Sequence, residues 1–144
     1  MTDQDLPSAS APLGILEAAL YAADLDAAER FYGGLLGLER IVRVADRHVF
    51  YRVGAGILLI FNPRETCKPP GNPDLPVPTH GAHGPGHFCF ALDGAALDAW
   101  RARLVAAGVE IEADFHWPNG ARSIYFRDPA KNSIEMAETR LWAK

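Results

Sequence analysis

Apolar and polar positions run through one series of patterns twice along this chain. Residues 15–22 alternate and are rich in small apolar side chains, the signature of a half-buried strand. Asp24 reads as an N-cap, and a helix is expected over 25–36, where Leu25, Ala28, Phe31, Tyr32, Leu35 and Leu36 recur at intervals of three and four. Gly37 falls where a left-handed backbone closes a helix. A strand over 39–45 follows, then a hairpin of 48–53 and 57–61 across Gly54-Ala55-Gly56. The order is β-α-β-β-β.

Residues 62–86 break this regularity. They hold seven of the eleven prolines and several glycines, a composition that continues neither a helix nor a central strand. The segment reads as a connection, long enough to act as a cover. The pattern then restarts. A strand is expected over 87–92, Asp93 as N-cap, and a helix over 95–107 with Leu97, Trp100, Leu104 and Val105 on one face. Gly108 ends this helix as Gly37 ended the first. A strand over 109–113, a turn over 116–120, and a second hairpin of 123–127 and 133–137 across 128–132 complete the series. The expected organisation is a flexible tail (1–13), a first module (14–62), a Pro/Gly-rich connection (63–85), a second module (86–139) and a short C-terminal tail (140–144).

The repeat matters because of where it puts polar side chains. Glu17 opens the first strand of one half and His87 the first strand of the other. Glu17 precedes Gly37 by 20 residues, and His87 precedes Gly108 by 21. Glu135 lies near the end of the second half, and its counterpart in the first half is Leu59. Equivalent positions related by a pseudo-twofold axis can bring Glu17, His87 and Glu135 to one place, where they could form a metal site.

Composition narrows the class. The 144 residues suit one compact unit or two small ones sharing a core. The net charge of −4 and the lack of a basic stripe disfavour nucleic-acid binding. No apolar run reaches the ~18 residues of a membrane span, and the N-terminus has no signal-peptide pattern. Two cysteines, Cys67 in a loop and Cys89 mid-strand, make no disulfide framework. A reducing, cytoplasmic setting is expected, with Cys89 read as a small buried hydrophobe.

Three stretches together resemble the vicinal oxygen chelate superfamily, which includes glyoxalase I, bleomycin-resistance proteins, fosfomycin-resistance enzymes and extradiol dioxygenases. They are Leu20-Tyr-Ala-Ala-Asp24-Leu25 with Phe31-Tyr32 and Leu36-Gly37-Leu38, then Gly86-His87-Phe-Cys-Phe90, and Tyr125-Phe-Arg-Asp128-Pro129-Ala-Lys-Asn132-Ser-Ile-Glu135. The resemblance spans about residues 14–139. It implies an α+β fold of tandem βαβββ modules forming a curved mixed sheet around a central cavity, and a homodimer. It also implies a divalent metal (Mn, Fe, Ni, Mg or Zn) held by Glu17, His87 and Glu135. Glu17 stands where many relatives have histidine, and Leu59 removes a fourth ligand. Three donors leave open positions for a small substrate chelated through vicinal oxygens. The donor set departs from the two-histidine, one-carboxylate iron triad, which weakens a dioxygenase reading.

Expected activities are therefore a metal-dependent lyase, isomerase or ring-opening reaction, with Glu135 or Glu17 as the proton-transfer base. The alternative is a metal-free small-molecule binding protein of the bleomycin-resistance type. Tyr21, Leu59 and Phe61 are candidates for the substrate pocket, or Tyr21 and Phe61 are core. Trp117 stacks on a ligand or covers one end of the sheet. Arg122 holds an anionic substrate group or forms a surface ion pair.

Overall fold

A computed structural model describes residues 6–144; residues 1–5 of the expected tail lie outside the described residues. The first strand, β1 (Glu17–Tyr21), leads into α1 (Leu25–Glu29), capped by Asp24, whose Oδ1 accepts from the Ala27 amide at 3.0 Å. The expected single helix is two pieces. After α1 the chain widens into a π-helical turn, Arg30–Leu35, in which the Leu36 amide reaches back five residues to Phe31 O. The wider turn brings Gly33 against the Tyr51 ring, where an added Cβ would stand 3.5 Å from Cε1. Gly37 closes it at φ +70°. Then come β2 (Glu39–Val44), β3 (His48–Val53) and β4 (Gly56–Phe61).

The connection is less irregular than its prolines predict. Pro63 sits in the first turn of a short helix, α2 (Pro63–Thr66), where its missing N–H costs nothing, and Asn62 caps it. The second module holds β5 (His87–Leu92), α3 (Gly94–Ala106), β6 (Ala113–His116), β7 (Arg122–Arg127) and β8 (Ser133–Glu138). A 3₁₀ turn, Thr139–Trp142, ends the chain's regular structure.

Two expectations need correction here. Residues 109–112 are not a strand, and β6 begins at Ala113, so His116 ends a strand rather than opening a turn. The cause is the closure of α3. Gly108, at φ +79°, lets the Val109 amide turn back to Leu104 O, so that donor is unavailable to a ladder. Val105 is exposed on α3, whereas Leu97 and Leu104 are buried.

The strands form two open four-stranded sheets with the same topology, β1-β4-β3-β2 and β5-β8-β7-β6. In each, the first strand runs parallel to the last and the other pairs are antiparallel. One face of each sheet packs on the helices, and these faces share one core. Leu20, Tyr51, Leu58 and Ile60 of the first module join Phe90, Ile124, Phe126 and Ile134 of the second. Among the described residues no helix is long and apolar enough to cross a membrane.

A buried polar clasp fixes how the modules meet. Tyr32 donates its hydroxyl to Asp128 Oδ2 at 2.7 Å, from the π turn of one module to the β7–β8 turn of the other. Asn132 donates its amide N–H to Asp128 Oδ1 and its side-chain Nδ2 to Asp128 Oδ2 and to Tyr21 O. Its Oδ1 accepts from the Gly86 amide at 2.8 Å. Burial, then the neighbouring Asp128 charge and hydrogen bond, push the Tyr32 phenol far above its ordinary range. Replacing Asn132 by alanine removes a donor from the buried Asp128 carboxylate and the side-chain partners of Tyr21 O and the Gly86 amide. We expect Asn132→Ala to lower unfolding free energy by about 3 kcal/mol, and Tyr32→Phe by about 2 kcal/mol, in denaturant titrations.

Candidate functional site

Strand alternation puts Glu17, Ala19 and Tyr21 of β1 on the sheet face turned away from the helices. Their partners on β4 are Ile57, Leu59 and Phe61. In the second module His87, Cys89 and Ala91 of β5 pair with Ser133, Glu135 and Ala137 of β8. The two registers coincide: Glu17 takes the place of His87, and Leu59 the place of Glu135. On these helix-free faces the first strands are exposed at Glu17, Ala19, His87, Cys89 and Ala91, while Leu59, Phe61, Ser123 and Glu135 are buried. Cys89, expected to be buried, is exposed on this face.

His87 and Glu135 converge. His87 Nε2 lies 3.3 Å from Glu135 Oε2, while His87 Nδ1 lies 3.0 Å from Ser133 O. Ser133 O and the Glu135 carboxylate both only accept, and the shorter contact, at Nδ1, is the one assigned the proton of a neutral ring. When the ring is neutral, its Nε2 lone pair then faces a carboxylate oxygen. Two acceptors held this close call for a cation or a proton between them. Nitrogen and oxygen donors on one divalent ion stand about 3 to 3.5 Å apart, so the pair fits two adjacent ligands. The backbone bond at Nδ1 is the usual partner of a ligating imidazole.

Glu135 is nearly enclosed. Ser123 donates its hydroxyl to Glu135 Oε1 at 2.7 Å, and Trp117 Nε1 donates to Ser123 Oγ at 2.8 Å. Beside the carboxylate, the rings of Phe115, Tyr125 and His87 form a stacked row with centroid spacings of 5.8 and 6.1 Å. Burial, then the Glu135 hydrogen bond and charge, push the Tyr125 phenol up to about 12. Partial burial, then the Glu135 charge and hydrogen bond, push the Cys89 thiol up to about 12.

Glu17 does not join His87 and Glu135 within one chain. Among the described residues no three histidine, cysteine, aspartate or glutamate side chains come together to hold a metal. Glu17 instead lines a cleft of about 250 Å³, shared with Ile57 and Cys89, where β1 runs beside β5. A larger cleft, of about 480 Å³, lies between the connection and the two modules, lined by Tyr21, Asp24, His83 and Lys131 among others.

The remaining candidates separate. Leu59 and Phe61 are buried at the open face of the first module. His80 of the connection packs edge-on to Phe61 at 4.6 Å, and its Nδ1 pairs with the Tyr21 hydroxyl at 2.7 Å, so the connection covers that end of the sheet. Burial, then Arg47, hold the nearby His48 imidazole below its usual value. Arg122 takes the ion-pair alternative: Asp114 receives Nε and Nη2 at 2.8 and 2.9 Å, and Asp98 receives Nη1 at 2.6 Å. Its fork braces β6 and β7 against α3 rather than facing the open sheet.

Sequence reasoning missed Ser123, Tyr125 and Phe115. Alternation was the available signal, since β7 pairs Tyr125 with Glu135 and Ser123 with Ala137 on the same face.

Residues 14–136 match the family described as Glyoxalase/Bleomycin resistance protein/Dioxygenase superfamily. No curated protein matches significantly. A crystal structure of a lactoylglutathione lyase from Agrobacterium tumefaciens is 46% identical, with a TM-score of 0.86 over 92% of this chain and 98% of that one. A glyoxalase/bleomycin resistance protein/dioxygenase from Nocardioides is 24% identical, with a TM-score of 0.71 over 94% and 88% of the two chains. The fosfomycin resistance protein FosX from Mesorhizobium loti is 20% identical, with a TM-score of 0.62 over 91% and 96%. The last two likenesses are of fold alone.

A thiol raised to about 12 stays protonated through neutral pH. In a Cys67→Ser background, Cys89 is expected to resist iodoacetamide at pH 8, where only about one thiol in 10,000 is thiolate. Mass spectrometry of the labelled protein checks this.

Proposed function

The chain belongs to the glyoxalase/bleomycin resistance protein/dioxygenase superfamily, and from that premise we propose that it is a divalent-metal-dependent enzyme acting on a small substrate with vicinal oxygens. The observation that carries this reading is the facing pair of His87 Nε2 and Glu135 Oε2, 3.3 Å apart, with the far imidazole nitrogen fixed on Ser133 O. Among lyase, isomerase and ring-opening chemistry, lyase is favoured by the 46% identity to the structure named as a lactoylglutathione lyase.

His87 and Glu135 hold the ion from one chain, and Glu17 of a second copy completes the donor set. Glu17 is exposed on the open face of its own module and takes the position equivalent to His87. Exposed Leu13, Ile15 and Leu16 just before it supply apolar surface for a homodimer contact. Two carboxylates and one imidazole form an oxygen-rich set suited to Mn, Fe, Ni, Mg or Zn. A bound divalent ion would polarise chelated oxygens and stabilise negative charge developing on them.

The protein's own groups do the rest. Glu135 presents Oε2 to the open face and is the candidate base for a proton next to the chelated oxygens, with Glu17 the other carboxylate in reach. The row Phe115–Tyr125–His87 gives a flat wall for an apolar or conjugated group. Leu59, Phe61 and Tyr21 supply an apolar wall from the other module. Unpaired Cys67 and Cys89 suit a reducing cytoplasmic setting.

The second reading is a metal-free binding protein of the bleomycin-resistance type. It is favoured by the same pair, because a protonated His87 satisfies Glu135 without a metal.

Elemental analysis after purification without added metal separates the two. The enzyme reading expects stoichiometric divalent metal, lost in Glu17→Ala, His87→Ala and Glu135→Gln. Glu135→Gln should also lower turnover of methylglyoxal–thiol adducts by about 10²–10⁴-fold. Protein that binds none of the five metals when supplied would sink the reading. Mixing refolded Glu17→Ala and Glu135→Gln chains tests the shared site: heterodimers with one intact site each should restore about a quarter of wild-type activity. A site within one chain would restore none.

A further inference from the structure

We propose that Ser123 is a positioning residue for Glu135, itself oriented by Trp117, and that this hydrogen-bonded chain holds Oε1 within the sheet and turns Oε2 toward His87. The inference rests on the reading of Glu135 as ligand and base, and it adds two residues that act through it.

The direction of the chain follows from donor and acceptor capacity. An indole N–H only donates. Trp117 Nε1, 2.8 Å from Ser123 Oγ, therefore makes the serine oxygen an acceptor. The single serine proton is then directed to Glu135 Oε1, at 2.7 Å. Ser123 is fully buried, so no solvent competes for its hydroxyl. Glu135 Oε1 is occupied from inside the sheet, and Oε2 faces His87 Nε2 on the open side.

A carboxylate held this way keeps one orientation: Ser123 occupies a lone pair of Oε1 from within the sheet, and Oε2 would be the oxygen turned toward an ion beside His87.

The donor at the head of the chain is itself fixed. Trp117 lies in the β6–β7 turn, where its amide donates to Ala121 O and its carbonyl accepts from the Gly120 amide. Gly120, at φ +85°, closes the turn, and Arg140 Nη2 donates to Gly120 O from the C-terminal turn. Asn119 Nδ2 binds Arg140 O and Leu141 O in return. Residues remote from the open face thus hold the indole in line with Ser123.

The test uses the full-length chain, ¹⁵N-labelled, with the Trp117 indole N–H resonance assigned through Trp117→Phe. In metal-free protein, Glu135→Gln is expected to shift that resonance, because the hydrogen-bonded route between the two side chains runs through Ser123. In a Ser123→Ala background the same substitution is expected to leave it unmoved. In parallel, Ni²⁺ binding by titration calorimetry is expected to weaken about 10-fold or more in Ser123→Ala, with Trp117→Phe between that variant and wild type. An indole resonance indifferent to Glu135→Gln, or wild-type Ni²⁺ affinity in Ser123→Ala, would overturn the proposal. Wild-type protein that takes up no Ni²⁺ while the indole responds as expected would remove the metal reading and keep Ser123 as the group that orients Glu135.

Discussion

Everything on the open faces depends on a buried clasp beneath them. Asp128 accepts from the Tyr32 hydroxyl and from Asn132, while Asn132 reaches the Tyr21 carbonyl and the Gly86 amide. Three of these contacts cross between modules or tie β5 to the turn that precedes β8, and the two Asn132–Asp128 bonds hold that turn together. Tyr21 ends the strand that carries Glu17, and Gly86 immediately precedes His87. The clasp therefore sets the relation between the two strands that begin with candidate ligands. Tyr32, Asp128 and Asn132 are buried, so their side-chain polar atoms must find protein partners. Apolar packing around Phe31 and Phe126 tolerates small slips; a charged acceptor ringed by donors does not.

The two modules share a register but not a chemistry. Glu17 and Ile57 correspond to His87 and Ser133, and Ala19 and Leu59 to Cys89 and Glu135. In the second module the equivalent face holds a carboxylate, an imidazole, a serine and a phenol. In the first it holds Leu59, Phe61 and Phe50, partly covered by His80 from the connection. The duplication keeps the frame while one half carries most of the polar work and the other offers an apolar wall. That division makes Glu17 stand out: it is a charged residue at the edge of the less polar face, exposed and away from the His87–Glu135 pair of its own chain.

Much of the fold was legible because it rests on local periodicity. The two hairpins, the Asp24 cap and the closing glycines follow from alternation and turn chemistry within a few residues. The π turn was not legible, since a residue pattern at three and four does not distinguish a five-residue reach from a four-residue one. Nor was the late start of β6, which depends on where Val109 sends its amide. At the site, the partnership of His87 with Glu135 was legible through the repeat, whereas the clasp was seen only as turn chemistry at Asp128 and Asn132. Tyr32 lies 96 residues from Asp128, and no local rule links them. Arg122 shows the same limit, because choosing between substrate and ion pair required knowing that Asp98 and Asp114 flank it.

A carboxylate near an open sheet face meets two opposed demands. To be a defined ligand or base it must hold one orientation, which favours burial and hydrogen bonds. To react it must keep a lone pair accessible, which burial and hydrogen bonds remove. Glu135 divides the demands between its oxygens: Ser123 fixes Oε1 from within the sheet, and His87 marks Oε2 on the open side. His87 is divided likewise, with Nδ1 on the Ser133 carbonyl and Nε2 toward Glu135. In each residue one atom is held by the fold and the other is left toward the surface. The arrangement sits on two neighbouring strands and turns one atom of each side chain toward the other, 3.3 Å apart.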